Sequence, residues 1–530
     1  MKKLITIVCA LCAFCAVSCN VAEQNTYSII PQPVSVVEKI DTAIVPEVVT
    51  IDVTAFPQIA ANYISLAAPM LALEQGDRDS YIILRLNKCA RMAEGGYSLK
   101  VGKNRVVISS NAEAGLWNGL QTLTQLLLQG IDHQVTVNDV PRFGYRGAML
   151  DCGRHFFTVE EVKQFIDLMC VHKLNVFHWH LTEDQGWRIE IKKYPLLTEV
   201  GSVRNGSWDT NYEGKEDKWV EGSYGGFYTQ DEIREVVKYA SERFVTIIPE
   251  IEMPGHSVAA LTCYPWLGCT GGPYEVRTAW GISKDVMCIG KESTWEFCRD
   301  VLEEVCDLFP GPYIHIGGDE APRLRWESCP DCQALMEKEG FEREAQLQTY
   351  LNNKVEEYLA TKGKRVIGWD EILEGGISQT ACVMSWRGSE GGQKAAAMGN
   401  DVIMVDKHYC YFDCYQTESR EEEIRCHNRS VPLAKVWTYE PTDNMDEAAA
   451  AHVLGLQCNT WTEHISDMDR VYFMNLPRMA ALCEIAWTDR ALRGTYEQFL
   501  DRMVAVAIPL YNAAGWHVAP YYQSDLLPQD

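Results

Sequence analysis

Carboxylates, histidines and tryptophans recur in this sequence just past short apolar runs, and together they suit chemistry on a carbohydrate. The run at residues 313–316 passes into Gly317-Gly318-Asp319-Glu320. Others end in Asp151 and Arg154, in His178, His180, Glu183 and Asp184, and in Glu250, Glu252 and His256. Further on come Trp369, Asp370 and Glu371, then Trp386 and Arg387, then Tyr411 and Asp413, and last Trp461 and Glu463. Singly, a Trp is usually core and a strand-end Asp is often only a helix cap. As a set they match what a sugar offers: axial C–H faces that stack on indoles, and hydroxyls that need carboxylate and guanidinium partners. Ordinary retaining glycosidases place two carboxyl groups about 5–5.5 Å apart across the scissile bond. Asp319 and Glu320 are adjacent, so in an extended strand end their side chains are expected to diverge, which makes them a poor nucleophile–acid pair.

Elements that repeat as strand, helix, strand must position these groups. Candidate strands lie at residues 146–151, 174–181, 245–252, 313–318, 365–370, 381–386, 401–405 and 454–461. Several are nearly continuous apolar runs, as in strands of a parallel sheet buried on both faces. Thr158 with Glu161, Thr229 with Glu232 and Ser293 with Glu296 read as capping boxes opening the helices between them. Eight such units predict an α/β fold, a (β/α)8 TIM barrel over residues 141–490, with its active site at the C-terminal ends of the strands. Residues 188–228 and 257–291 are long for the loops at that rim, and residues 491–530 read as a terminal helix and tail. Before the barrel, residues 19–140 read as a small noncatalytic α+β domain. It has a strand at 81–86, a hairpin of 97–101 and 105–109 turning through Gly102-Lys103-Asn104, and a helix capped by Asn111 with Leu116, Leu120, Leu123 and Leu127 on one face.

The stretches Arg146-Gly-Ala-Met-Leu-Asp-Cys-Gly-Arg154-His-Phe, Phe177-His-Trp-His-Leu-Thr-Glu-Asp-Gln-Gly-Trp187, Pro254-Gly-His256, His315-Ile-Gly-Gly-Asp-Glu320 and Trp461-Thr-Glu463 resemble glycoside hydrolase family 20, the β-N-acetylhexosaminidases. The resemblance runs from about Tyr27 to Thr488 and includes the noncatalytic N-terminal domain of many members. It implies a retaining exo-hydrolase that removes terminal non-reducing β-linked GlcNAc or GalNAc through an oxazolinium intermediate, with no cofactor. By motif, Glu320 would protonate the leaving oxygen and Asp319 would hold the 2-acetamido group. Arg154 and Glu463 would bind ring hydroxyls, Asp413 the primary hydroxyl side, and Tyr411 the acetamido carbonyl. Trp369, Trp386 and Trp461 would form an aromatic box, with His256 close to the acid. The family usually has Asp where this chain has Glu183, whose longer carboxylate is expected still to meet Arg154.

Two other readings compete. His178-x-His180 puts two imidazoles on one face of a strand, as in metal-dependent hydrolases, but such enzymes usually carry the pair on the first strand and add a Lys or further His ligands. Structural histidines in a hydrogen-bond network, with no catalytic metal, are the expectation. A carbohydrate-binding protein on an inactive barrel is expected to lose its acid, and both Asp319 and Glu320 are present.

The 530 residues are 47% hydrophobic and 23% charged, and the formal net charge of −25 argues against a nucleic-acid partner. Lys2 and Lys3 precede an apolar stretch over residues 4–17, and Ala16-Val17-Ser18-Cys19 follows in lipobox-like order. Residues 1–18 therefore read as a lipoprotein signal peptide. Cys19 reads as the lipidated first residue of a periplasm-facing enzyme of the bacterial envelope, which meets the membrane only through that anchor. An ordinary signal peptide with a chance cysteine is the alternative. Cys329-Pro-Asp-Cys332 has metal-like spacing but no second Cys or His pair at the usual interval, so a surface turn or local bridge is expected. Cys269 and Cys288 are expected to pair as a disulfide pinning the long rim loop.

Overall fold

All eight apolar runs become strands of one closed parallel barrel in the computed structural model, which describes residues 26–88, 92–210, 217–419 and 426–526. The first barrel strand (Tyr145–Asp151) pairs with the second (Val176–His180) on one side and the eighth (Val453–Thr460) on the other. The third (Thr246–Glu250), fourth (Tyr313–His315), fifth (Arg365–Trp369), sixth (Cys382–Ser385) and seventh (Val402–Met404) complete the ring in chain order. Every residue of the first strand is buried, as expected where helices cover the outside and side chains fill the inside.

The fourth strand is shorter than the sequence suggests, for a local reason. Beyond His315 the chain enters left-handed backbone at Gly317 (φ 63°), Gly318 (φ 93°) and Glu320 (φ 45°). A Cβ on Gly317 would lie 1.9 Å from Glu252 Oε2, so only glycine fits that turn. Asp319 and Glu320 are thus not on an extended strand end, and the expected divergence of their side chains does not hold.

A seven-stranded sheet precedes the barrel, in the order Ser35–Thr42, His133–Asp139, Tyr97–Val101, Val106–Ser110, Ile82–Leu86, Val49–Asp52, Leu73–Gly76. The hairpin closes as expected, with the Gly102 N–H donating to the Arg105 carbonyl at 2.8 Å. The helix Glu113–Gln129 buries Leu116, Leu120 and Leu123, whereas Leu127 is only partly buried against the core. Asn111 is not its cap: Ala112 takes that position, and the Asn111 amide donates instead to the Met92 carbonyl at 2.7 Å. This sheet is tied to the barrel underside by Lys173, whose ammonium donates to Tyr97 Oη (2.9 Å) and Asp139 Oδ2 (3.3 Å).

Thr158–Glu161 and Thr229–Glu232 form full capping boxes on helices Val159–Val171 and Gln230–Ser241. Ser293–Glu296 does not, because its helix begins a residue earlier, at Glu292, with Lys291 in the cap position. The expected Cys269–Cys288 disulfide is also absent: both are free thiols, and the Cys269 and Cys288 sulfurs lie 4.0 and 3.6 Å from that of Cys332. Past Thr488 the chain forms helices Tyr496–Arg502 and Ile508–Ala513. Among the described residues no helix is long and apolar enough to cross a membrane, and the leader with Cys19 lies outside them.

Candidate active site

Asp151 organises one side of the rim. At the end of the first strand its Oδ1 accepts the N–H groups of Gly153 and Arg154, and its Oδ2 accepts Arg154 Nη1 (3.0 Å) and the Thr462 N–H (3.2 Å). One buried carboxylate therefore places Arg154 and the Trp461-Thr462-Glu463 segment relative to each other. The guanidinium also meets Glu183 Oε2 at 3.1 Å and Glu463 Oε1 at 3.5 Å, and lies 5.0 Å over the Trp461 ring. Three carboxylates around one Arg154 outweigh the cost of its burial and hold it firmly charged.

Glu183 sits behind the pocket wall and serves two partners. Its Oε1 lies 2.6 Å from His256 Nδ1 while Oε2 lies 3.1 Å from Arg154 Nη2. Asp184 turns away, accepting the Val258 N–H at 3.0 Å and Arg277 Nη1 at 3.0 Å. His256 is buried, which opposes its charge, but Glu183 and Asp319 raise it well above the ordinary imidazole range. Its Nε2 lies 3.6 Å from both Asp319 Oδ2 and Glu320 Oε2. The two adjacent acids therefore converge on one imidazolium.

Their environments differ in kind. Asp319 is buried, and burial with Glu250 nearby raises its carboxyl, offset only in part by His256. Its Oδ1 has no hydrogen-bond partner among the described residues. Glu320 has a third of its side chain exposed; burial raises its carboxyl, but His256, by contact and charge, together with Arg154 outweighs that and holds it below the usual carboxylate range. Beneath them Glu252 has neither oxygen partnered among the described residues, and burial beside Asp319 and Glu250 raises it well above its ordinary value. Burial there favours the neutral form of Glu252.

The histidines of the second strand turn inward. His178 Nε2 lies 2.9 Å from Glu250 Oε2, His180 Nδ1 bonds the same oxygen, and the Trp369 indole donates to Oε1 at 2.7 Å. Glu250 is a hub that fixes the orientation of Trp369. Trp386 is held by Glu371 (2.9 Å), whose carboxyl burial and Asp319 push up to about 9. Trp461 lies between Trp369 (5.8 Å) and Tyr411 (6.2 Å), and Trp386 stacks at 15° to Tyr411, so the rings make a continuous curved wall. Asp413 is buried with Oδ1 unpartnered among the described residues, and burial and Glu463 push it up to about 8.

These side chains enclose a cavity of about 500 Å³ lined by Asp319, Glu320, Arg154, His256, Trp369, Trp386, Tyr411, Asp413, Trp461 and Glu463. Glu183 does not line it, nor do Asp151, His178, His180, Asp184, Glu250, Glu252, Asp370, Glu371 and Arg387 of the rim set. Trp280 and Ile282 from the long loop after the third strand, and Lys407, His427 and Arg429, also contribute to the lining. Only the length of the rim loop hinted at the first two; no periodic or motif signal pointed to the basic three. A cavity of similar size, about 520 Å³, opens between the barrel underside and the N-terminal sheet, around Arg146, Phe244 and Trp117. It lies at the wrong end of the strands and has no carboxylate pair.

Residues 143–490 match the glycosyl hydrolase family 20 catalytic domain, and residues 26–140 match domain 2 of the same family. A β-hexosaminidase of Porphyromonas gingivalis is 41% identical over 98% of this chain and 69% of its own length. Among solved structures, the exo β-N-acetylglucosaminidase of Vibrio harveyi in complex with N-acetylglucosamine superposes with a TM-score of 0.81. It is 33% identical, with 92% of this chain and 78% of that one covered. A mutant Streptomyces plicatus β-hexosaminidase in complex with GlcNAc gives 0.79 at 29% identity, over 93% and 96% of the two chains. The chain belongs to glycosyl hydrolase family 20. It is a glycoside hydrolase.

Proposed function

We propose that this protein is a retaining exo-β-N-acetylhexosaminidase in which the substrate's own acetamido oxygen is the nucleophile. The observation that carries the reading is the buried Asp319 Oδ1, unpartnered among the described residues and facing an aromatic-walled pocket, one residue from a partly exposed acid on the same histidine. A terminal sugar stacked on Trp461 would present its 2-acetamido group to Asp319. The acetamido N–H satisfies Oδ1, and the carboxylate stabilises the positive charge that develops as the acetamido oxygen attacks C1. Glu320 gives its proton to the departing oxygen, then takes one from water as the oxazolinium ion opens. Arg154, Glu463 and Asp413 supply polar partners for ring hydroxyls, and Tyr411 a donor for the acetamido carbonyl.

In the open pocket, Glu320 is below and Asp319 above its usual range, the reverse of what acid and charge stabiliser need. A bound sugar corrects both. Its bulk removes water from Glu320 and raises it, and the acetamido N–H lowers Asp319. kcat/KM reports ionisations of the free enzyme and kcat those of the complex. The acid must be protonated, so activity falls as pH rises through its pKa, and the alkaline limb of kcat is expected at higher pH than that of kcat/KM. Coincident limbs in a full pH–rate study would contradict the inversion.

Chemistry is tested by product configuration, followed by NMR, and by a thiazoline mimic of the cyclic intermediate. Retention and tight thiazoline binding, with no hydrolysis of glycosides bearing a plain 2-hydroxyl, support the reading; inversion removes it.

The lipobox-like leader supports attachment of the enzyme through lipid on Cys19, facing the periplasm. The barrel begins far downstream, so Cys19→Ala is expected to yield soluble protein of unchanged specific activity. Recovery of that variant in washed membranes would show that another element is the anchor.

A further inference from the structure

Four cysteines meet beside the rim. Cys269 and Cys288 come from the long loop after the third barrel strand, and Cys329 and Cys332 from the start of helix Pro330–Glu339. All four sulfurs lie within 4.8 Å of one another. Cys288 Sγ is 3.5 Å from Cys329 and 3.6 Å from Cys332, and Cys269 is 4.0 Å from Cys332. A tetrahedral site with Zn–S bonds of about 2.3 Å requires sulfur–sulfur edges of about 3.8 Å. Disulfides would make a different pattern, one short distance per sulfur with the remaining ones unconstrained. Here Cys288 is equidistant from two partners, as a ligand around a common centre must be.

We propose that these four thiolates bind one structural zinc ion. Binding is acid–base and not redox: four S–H groups lose their protons to solvent as four Zn–S bonds form. The surroundings are built for it. Cys329 is the N-cap and Pro330 the first residue of its helix, so the positive end of the helix dipole faces the thiolates. A Cβ on Gly290 would lie 2.1 Å from the Asp331 carbonyl carbon, so glycine alone lets the loop carrying Cys288 press onto the Cys329–Cys332 turn. Lys291 anchors the same loop through the carbonyls of Trp266 (3.1 Å) and Gly268 (2.8 Å). Three of the four cysteines are buried, which closes the site to water as a structural zinc requires. A multi-iron cluster would hold its thiolates farther apart than these sulfurs lie.

The ion would join the loop bearing Trp280 and Ile282 to the segment that continues from Glu320. Two direct bonds already follow that path, Arg325 to Asp285 (2.7 Å) and the Trp326 indole to the Met287 carbonyl (2.9 Å). Zinc would thus brace the pocket rim without touching substrate.

The test is metal content of the purified full chain, measured by plasma mass spectrometry, with X-ray absorption at the zinc edge. Wild type and Glu320→Gln are expected to hold about one zinc per chain, with four sulfur neighbours near 2.3 Å. The double variant Cys329→Ser with Cys332→Ser is expected to lose the metal and several degrees of Tm. Wild type without zinc overturns the proposal, whether its four thiols are free or peptide mapping finds them in disulfides. So does iron at the site, zinc with nitrogen or oxygen neighbours, or zinc retained in the double variant.

Discussion

Replacing Glu320 with Gln is expected to lower turnover by about 10²–10⁴-fold, the usual cost of losing a general acid, or roughly 3–5 kcal/mol of barrier. Gln keeps the side-chain volume and can still face His256 Nε2, so fold and binding should survive. The loss should depend on the leaving group. An alkyl or sugar alkoxide cannot leave without a proton, whereas nitrophenolate can, so activity on a nitrophenyl glycoside should fall much less than on a chitin disaccharide. Measuring kcat/KM across a series of aryl leaving groups checks this. A uniform loss across the series would mean that Glu320 acts on binding or on the second step alone. The partial exposure of Glu320 fits such a role, because the acid must meet an oxygen at the pocket mouth.

Asp319→Asn is expected to cut kcat by about 10²–10³-fold, the cost seen when one preorganised electrostatic partner of a transition state is removed. The reason lies in timing. In the ground state Asp319 accepts one ordinary hydrogen bond from the acetamido N–H, which an amide oxygen can replace. As the ring closes, positive charge appears on that nitrogen, and only a carboxylate in this dry setting stabilises it. Substrate affinity should therefore change far less than kcat. Parallel kcat and KM measurements decide the matter. A KM rise as large as the kcat fall would assign Asp319 to binding, and a glycosyl ester trapped on any carboxylate would replace the mechanism altogether.

Much of this was legible from residue order because barrel strands are local in sequence. A buried parallel strand needs only a short apolar run, and a rim residue needs only to follow it. That placed Arg154, Asp319, Glu320, Trp369, Trp386, Tyr411, Asp413, Trp461 and Glu463 around one opening. Ends of elements were less legible. Ser293 and Asn111 have the right types for caps but not the position, because one residue of helix phase decides which side chain reaches the free N–H groups.

What the sequence by itself determined is the fold class, the rim inventory and the family, since these depend on periodicity and motif. What only the tertiary structure decided are distances between segments far apart in the chain. Asp319 and Glu320 converge on His256 because Gly317, Gly318 and Glu320 adopt left-handed backbone, which no strand pattern reveals. Glu183 joins Arg154 to His256 because three rim segments meet there. The cysteine pair expected as a disulfide is half of a four-sulfur cluster, its other half lying past the next strand and helix. Spacing along a chain constrains contacts within a turn or a hairpin; across a barrel rim the closed sheet sets the separation.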